Sequence, residues 1–163
     1  MKKKTETKDL KQFNLPTYKE IPAVGLYLDQ TSKYINECLC GLDDMEITNS
    51  MISNYVKKHL IANPVKKQYG RDQIACLLFI ALTKSSLSLE DVRHLFDLQK
   101  EKYSSEEAYS YFRDLFDEVY RMQDAGSFQK EKGDKGLLQD IVFNVVSNIR
   151  LHELLRHTFS DVK

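Results

Sequence analysis

Residues 47–71 read ITNSMISNYVKKHLIANPVKKQYGR, and the interpretation of the fold starts from this stretch. It carries five positive charges, at Lys57, Lys58, Lys66, Lys67 and Arg71, and it contains no Asp or Glu. The whole 163-residue chain has 24 basic and 24 acidic residues, so the basic surplus is local. A local surplus of this kind in a neutral chain indicates a surface that binds phosphate groups.

The first half of the stretch is predicted to form an amphipathic helix over residues 49–60. Thr48 precedes it as an N-cap, because its hydroxyl can accept a hydrogen bond from a free backbone N–H of the first turn. The apolar residues fall mainly on one side, and the other side carries Ser50, Ser53, Asn54, Lys57 and Lys58. Such a helix fits the DNA major groove, where Asn and Ser reach base edges and Lys reaches phosphates. A solvated surface helix is the alternative interpretation.

The second half, residues 61–70, is predicted to form a small wing. It is too short and too polar for a core element, and Pro64 prevents the helix from continuing. Beyond it, apolar residues at helical spacing predict a helix over 73–83, and a further helix is predicted over 89–98. The residues predicted to contact phosphates are Lys58, Lys66, Lys67, Tyr69 and Arg71.

The order of recognition helix, basic wing, apolar helix and the SLEDVRHLF helix resembles the MerR-type winged helix-turn-helix of bacterial transcription regulators. Tyr55, Leu60 and Tyr69 match positions of that type. The chain departs from it at Ser53, where those regulators usually carry an arginine, and at His59, where they have a helix-ending glycine. The resemblance implies a DNA-binding fold.

Four segments look more closely like the bacterial family known as domain of unknown function 1836. They are LPTYKEIP, LYLDQTSKYINECL, ITNSMISNYVKKHLI and PVKKQYGRDQIACLLFIALTK, and the resemblance covers residues 15–98. That family has no assigned biochemical role, so this second resemblance implies a fold more than a function.

The composition favours an all-α fold, since only three prolines and six glycines interrupt the chain. Further helices are predicted over 26–39, 104–123 and 137–159, and the last is apolar around much of its circumference. We predict three parts: a disordered basic tail at 1–14, a MerR-like winged helix-turn-helix DNA-binding unit at 15–100, and a C-terminal helical hairpin or bundle at 101–163 that mediates dimerisation. Residues 72–140 carry fourteen acidic and nine basic residues, a surplus that would turn the basic part of the protein toward DNA.

The cysteines and histidines give little support to a metal or catalytic site. Cys38, Cys40 and Cys76 are odd in number, which argues against a disulfide framework. A Cys-x-Cys pair could hold a metal together with Cys76 or a histidine, but packing as small apolar side chains is the favoured interpretation. The histidines are scattered, and no nucleophile motif, phosphate loop or paired carboxylates stand out. We predict no enzymatic activity, no cofactor and no metal.

The sequence therefore predicts a sequence-specific DNA-binding transcription regulator that acts as a homodimer. The dimer is expected because one recognition helix reads only a few base pairs and because the apolar final helix needs covering. No apolar run approaches the roughly 20 residues of a membrane span, and no signal peptide is recognisable, so we expect a cytoplasmic protein without a membrane partner. The alternative is a helical protein-interaction adaptor that retains the winged fold without binding DNA.

An effector is not specified by the sequence. The aromatic residues between 103 and 120 suit either a helix core or the lining of an effector pocket, and the core is the favoured interpretation.

Overall fold

The computed structural model describes residues 13–122, 126 and 128–160. Within these ranges the regular structure is helical, and strand-like pairing is limited to two isolated backbone bridges. A 3-10 turn at Tyr18–Glu20 precedes the helices α1 (Leu28–Cys38), α2 (Asn49–Lys57), α3 (Arg71–Thr83), α4 (Leu89–Lys102), α5 (Ser105–Arg121) and α6 (Gly133–Ser160). The prediction of an all-α fold is confirmed.

Helix α3 lies at the centre of the fold. Nine of its thirteen residues are buried, because leucine, isoleucine, phenylalanine and alanine occupy nearly all of its circumference. Helices α1 and α5 pack against it. Phe79 contacts Phe96 of α4 and Phe112 of α5, at ring-centroid distances of 5.6 and 4.8 Å. Helix α3 therefore joins the early and late helices in one hydrophobic core.

The extended segment before α1 is held on α5 by side chains that bind its backbone. Arg113 Nε donates a hydrogen bond to the Leu15 carbonyl at 3.1 Å, and the Tyr109 hydroxyl donates to the Pro16 carbonyl at 2.7 Å. Helix α5 belongs to the predicted C-terminal region, so its packing crosses the proposed boundary at residue 100. The functional division into 15–100 and 101–163 stays a prediction.

Phe13 belongs to the core. The centre of its ring lies 5.9 Å from the centre of the Phe116 ring, in an edge-on contact, and its side chain is buried. The predicted tail over 1–14 is therefore corrected at this residue, because its aromatic ring packs against Phe116 and Tyr120 of α5. Residues 1–12, the rest of the predicted tail, lie outside the described ranges.

Helix α6 combines one buried stripe with an exposed end. Its buried apolar residues are Val142, Val145, Val146 and Ile149, on the side that packs against α5. Beyond them, Leu151, Leu154, Leu155 and Phe159 are 50%, 61%, 42% and 65% exposed. Charges at Val145 or Ile149 are predicted from the sequence either to dissociate a dimer or to unfold the protein. Both side chains are buried in the core of their own chain, which favours unfolding.

Helix α6 is also the longest helix, with 28 residues. Among the described residues, no helix combines the length and the apolar character that a membrane span requires.

Candidate nucleic-acid interface

The start of α2 is held in place by α1 and by its own cap. The side-chain amide of Asn36 donates to the Ile47 carbonyl at 2.9 Å and accepts from the Ile47 N–H at 2.8 Å. One side chain of α1 therefore satisfies both backbone polar groups of Ile47, in the loop that leads to α2. The Thr48 hydroxyl accepts from the Met51 N–H at 3.1 Å, which confirms the predicted N-cap. The orientation of α2 relative to α1 is thereby set.

Helix α2 buries one face, which includes Ile52, and exposes the other. The exposed face carries the side chains predicted for it, namely Ser50, Ser53, Asn54, Lys57 and Lys58. Asn49 differs from them, because its side-chain carbonyl accepts a hydrogen bond from the Ser32 hydroxyl at 2.6 Å. Asn54 is therefore the asparagine of α2 whose side chain is free to meet a partner.

A residue in the left-handed conformation, two positions after the last residue of α2, terminates this helix. His59 has φ 58°, its N–H donates to the Val56 carbonyl at 3.0 Å, and the Leu60 N–H donates to the Tyr55 carbonyl at 2.9 Å. This pair of bonds is the Schellman motif, in which glycine is usual because it lacks a Cβ. His59 therefore adopts a conformation that is unfavourable for its residue type, at an exposed end of α2.

A tight turn forms the tip of the segment predicted as a wing. Val65 and Gln68 exchange backbone hydrogen bonds of 2.9 and 3.0 Å, and the two residues between them, Lys66 and Lys67, have φ 50° and 63°. Positive φ at both central residues defines a type I′ turn, which favours Asn-Gly. A side chain with a Cβ costs about 1–2 kcal/mol at each such position. Both lysine side chains are exposed.

We call residues 61–70, the segment that carries this turn, the hairpin. Its base is attached to the fold through Tyr69. Its backbone exchanges hydrogen bonds of 2.7 and 3.0 Å with Leu26. Its side chain is only 5% exposed, and burial raises its pKa. The predicted phosphate contact of the Tyr69 side chain is therefore corrected, because this side chain lies in the core.

Gly25 makes room for the hairpin. A Cβ at this position would lie 2.7 Å from the Cβ of Gln68, closer than two such atoms can come. Glycine therefore permits the close approach of the entry segment to the hairpin.

Arg71 is committed to contacts within the chain. Its Nε donates to the Ile21 carbonyl at 2.8 Å and its Nη2 to the Lys19 carbonyl at 3.1 Å. Its guanidinium also lies 5.4 Å from the centre of the Tyr18 ring. Arg71 thus anchors the segment before α1, a role that the prediction of a phosphate contact did not anticipate.

The lysines of α2 and of the turn lack ion-pair partners among the carboxylates of the described residues. Some basic residues elsewhere form ion pairs, whereas others, such as Lys33 and Lys100, have none among the described carboxylates. The pairs are Lys102 with Asp134, Lys130 with Asp140, Arg121 with Asp117, Arg113 with Asp114, and Arg156 with Asp43 and Asp44. The charges of Lys57, Lys58, Lys66 and Lys67 are therefore not neutralised within the described fold and remain available to a partner.

Arg93 of α4 is a basic residue that the sequence pattern did not assign to this surface. Its guanidinium donates to the Lys58 carbonyl, at the C-terminal end of α2, where a cation also interacts favourably with the helix dipole. The two residues are 35 positions apart, so no local pattern could have revealed the contact. We call the exposed face of α2, the Lys66-Lys67 turn and Arg93 the basic surface.

The cysteines are free thiols. In the ranges that the structure describes, no group of three or more His, Cys, Asp or Glu side chains is placed to hold a metal ion. Burial raises the pKa of Cys76 to about 11, so its thiol is protonated at neutral pH and is a poor nucleophile.

Comparison with known proteins identifies a family that this chain matches. The model of a family described as domain of unknown function (DUF1836) matches residues 16–118, which include α2, the hairpin and most of α5. No curated protein and no solved structure gives a significant match to the chain.

Replacing Lys66-Lys67 by Asn-Gly is expected to raise the free energy of unfolding by about 1–2 kcal/mol, because both new residues accept the left-handed conformation readily. Urea denaturation measures the change. The matched control is the double variant Lys66→Ala with Lys67→Ala, which removes the same charges but keeps a Cβ at both positions. Equal stabilisation in the two variants would mean that the loss of positive charge, and not the relief of backbone strain, raises the free energy of unfolding.

Proposed function

The chain belongs to the DUF1836 family, and we propose that it is a transcription regulator that binds double-stranded DNA through the basic surface. The observation that carries the proposal is the turn at Lys66 and Lys67. Two lysines occupy positions that favour glycine and asparagine, and neither charge has a carboxylate partner among the described residues. Strained residues persist where the surrounding structure holds them and function makes use of them.

In this proposal α2 is the recognition helix of a MerR-like winged helix-turn-helix, and the hairpin is its wing. The Asn54 amide is exposed on α2 and is suited to a bidentate contact with adenine. Ser50 and Ser53, on the same exposed face, are short enough to let the helix approach base edges closely. Base readout by an asparagine replaces readout by the arginine that MerR regulators usually carry.

Phosphate contacts come from Lys57, Lys58, Lys66 and Lys67, with Arg93 as a further contributor in place of Tyr69 and Arg71. Support for this set is their exposure together with the absence of partners for the four lysines within the described fold. Contacts of this kind position a protein on the duplex and carry no sequence information themselves. The acidic surplus of residues 72–140 favours approach with the basic surface first.

The regulator acts as a homodimer in the cytoplasm, and its dimer interface is the exposed end of α6. Leu151, Leu154 and Leu155 recur at helical spacing and are between 42% and 61% exposed. An apolar stripe of this kind on a single chain favours association. Two copies would give two recognition helices, which a useful specificity ratio requires.

The alternative function is a protein-interaction adaptor without DNA binding. The exposed apolar end of α6 favours it equally, since that stripe could receive a different protein. The adaptor function gives no role to the unpaired lysines of the basic surface, and for that reason DNA binding is preferred. Neither function requires an enzymatic activity.

Binding to a labelled random-sequence duplex is expected to weaken steeply with salt, because each neutralised phosphate contributes about 0.9 to the slope of log affinity against log salt concentration. Lys66→Ala with Lys67→Ala should weaken binding to every sequence and reduce the slope by nearly two units, one contact for each lysine. Fluorescence anisotropy over a salt series measures both quantities.

Two comparisons sharpen this experiment. Lys130→Ala with Lys132→Ala removes the same charge from the loop before α6 and should leave DNA affinity nearly unchanged. The Asn-Gly turn variant should bind DNA more weakly although it is the more stable protein. If the turn variants bind like the wild type, the turn has no role in DNA binding and the adaptor function is favoured.

Asn54→Ala is expected to relax base preference more than it lowers non-specific affinity, since a lost bidentate contact costs about 1–3 kcal/mol of discrimination. Ile52→Ala, on the buried face, should instead lower the free energy of unfolding by about 2–5 kcal/mol. Selection of bound sequences from a random pool tests the first effect, and urea denaturation tests the second. An unchanged base preference in Asn54→Ala would exclude this residue from readout.

Leu154→Asp is expected to convert the dimer into a folded monomer, because it places a charge in the exposed stripe of α6. Val145→Asp should unfold the protein instead, since its side chain is only 2% exposed and a buried charge finds no partner there. Ser147→Asp, at an exposed position of the same helix, is the control for both. Sedimentation equilibrium and circular dichroism measure assembly and folding. A wild-type protein that is monomeric at micromolar concentration would contradict the dimer.

A further inference from the structure

A cavity of about 380 Å³ lies between α3, α4, α5 and the start of α6, apart from the basic surface. Its volume falls in the range of about 300–1,000 Å³ that is typical of small-molecule pockets. The lining is mostly apolar and includes Phe79, Phe96, Leu98, Ala108, Phe112 and Leu138. The aromatic residues between 103 and 120 were predicted chiefly as core, and Tyr103 and Tyr111 instead face this space.

Aromatic rings dominate the wall of the cavity. Three phenylalanines from three helices meet there, with Phe79 at the centre and its neighbours 4.8 and 5.6 Å away, centre to centre. Tyr103, Tyr109 and Tyr111 add three more rings. The face of an aromatic ring carries partial negative charge and attracts cations. The ammonium of Lys135 already lies 5.4 Å from the centre of the Tyr111 ring, so this wall holds one amine of the chain itself.

The charged groups on the lining are mainly acidic. Three carboxylates, of Asp72, Glu107 and Asp134, border the cavity, and Lys135 supplies the one ammonium of its lining. Asp134 is neutralised by Lys102 at 2.5 Å. Glu107 accepts a hydrogen bond from the Ser104 N–H at 3.0 Å, a contact that leaves its negative charge without a cationic partner among the described residues.

We propose that this cavity is a binding site for a small amphiphilic cation, a molecule with an apolar or aromatic body and one ammonium group. The apolar body would fill the space between α3, α4 and α5. The ammonium would lie near Glu107 and the tyrosine rings. A carboxylate in the same place would meet the net negative charge of the lining, and a neutral molecule would gain only the apolar contacts.

The test compares three ligands of matched shape by isothermal titration calorimetry on the full chain: 4-phenylbutylamine, 4-phenylbutanol and 4-phenylbutyrate. The amine is expected to bind at least about tenfold more tightly than the alcohol, a difference that one favourable charge contact in a partly solvated site can supply. The butyrate is expected to bind most weakly. If none of the three binds with a Kd below about 1 mM, or if the butyrate binds most tightly, the proposal is wrong.

Two substitutions on α5 assign the charge contact. Glu107→Gln should weaken binding of the amine about three- to tenfold and leave the alcohol unaffected, and glutamine preserves the capping hydrogen bond to Ser104. Glu106→Gln removes the same charge from the neighbouring exposed position, outside the lining, and should change neither ligand's affinity. Equal effects of the two substitutions would overturn the assignment of Glu107.

Filling the space tests where the ligand lies. Ala108→Leu should abolish binding of both the amine and the alcohol while the protein stays folded by circular dichroism. Should that variant not fold, Leu98→Trp narrows the mouth of the cavity at a side chain that is 39% exposed and therefore tolerates enlargement. Undiminished amine binding in a folded cavity-filling variant would place the ligand elsewhere and overturn the proposal. DNA is not needed in any of these measurements, so their outcome is independent of the proposed DNA binding.

Discussion

Burial of α3 over nearly all of its circumference is the constraint on which the rest of the structure depends. A helix with this many apolar residues is stable only when neighbours cover it, and α1 and α5 pack against it for that reason. Its first turn also holds both ends of the hairpin segment. The Gln73 side chain donates to the Ala62 carbonyl at 2.8 Å and accepts from the Gly70 N–H at 2.6 Å. The position of the hairpin is therefore set by the same helix that organises the core.

Local preferences and the observed conformation disagree most at the basic surface. His59, Lys66 and Lys67 have positive φ without being glycine, and all three lie on or beside this surface. The fourth such residue in the described ranges, Asp44, lies elsewhere and is of a type that enters this conformation more readily. Disagreements of this kind are common at functional sites, where strain is part of the mechanism and the surrounding structure holds it. The lysines of this surface also have no carboxylate partner among the described residues, whereas some basic residues elsewhere, such as Lys102 and Lys130, do. The basic surface therefore combines strained backbone with a cluster of uncompensated positive charges.

Local signals predicted the helices well, because a cap or a periodic pattern is complete within a few residues. Thr48 accepts the first-turn hydrogen bond predicted for it, and α2 exposes the predicted face. Ser88 and Ser104 cap α4 and α5 in the same way, at the starts of helices that the sequence also predicted. Contacts between distant residues were not predictable in this way. The inward roles of Tyr69 and Arg71 depend on Leu26 and Ile21, more than forty residues earlier in the sequence. The apolar residues along α6 likewise did not reveal which of them would be buried in the core of their own chain and which would be exposed.

The attachment of the entry segment to α5 has a consequence for how the chain folds. The hydrogen bonds from Tyr109 and Arg113 to Pro16 and Leu15 span 93 and 98 residues of sequence. A chain synthesised from its N-terminus cannot form them until α5 has left the ribosome. Closing so long a loop is entropically costly and slows folding. The early helices, which carry the basic surface, therefore reach their final packing only together with α5, and a nascent chain that ends at α4 holds α2 on an incomplete core.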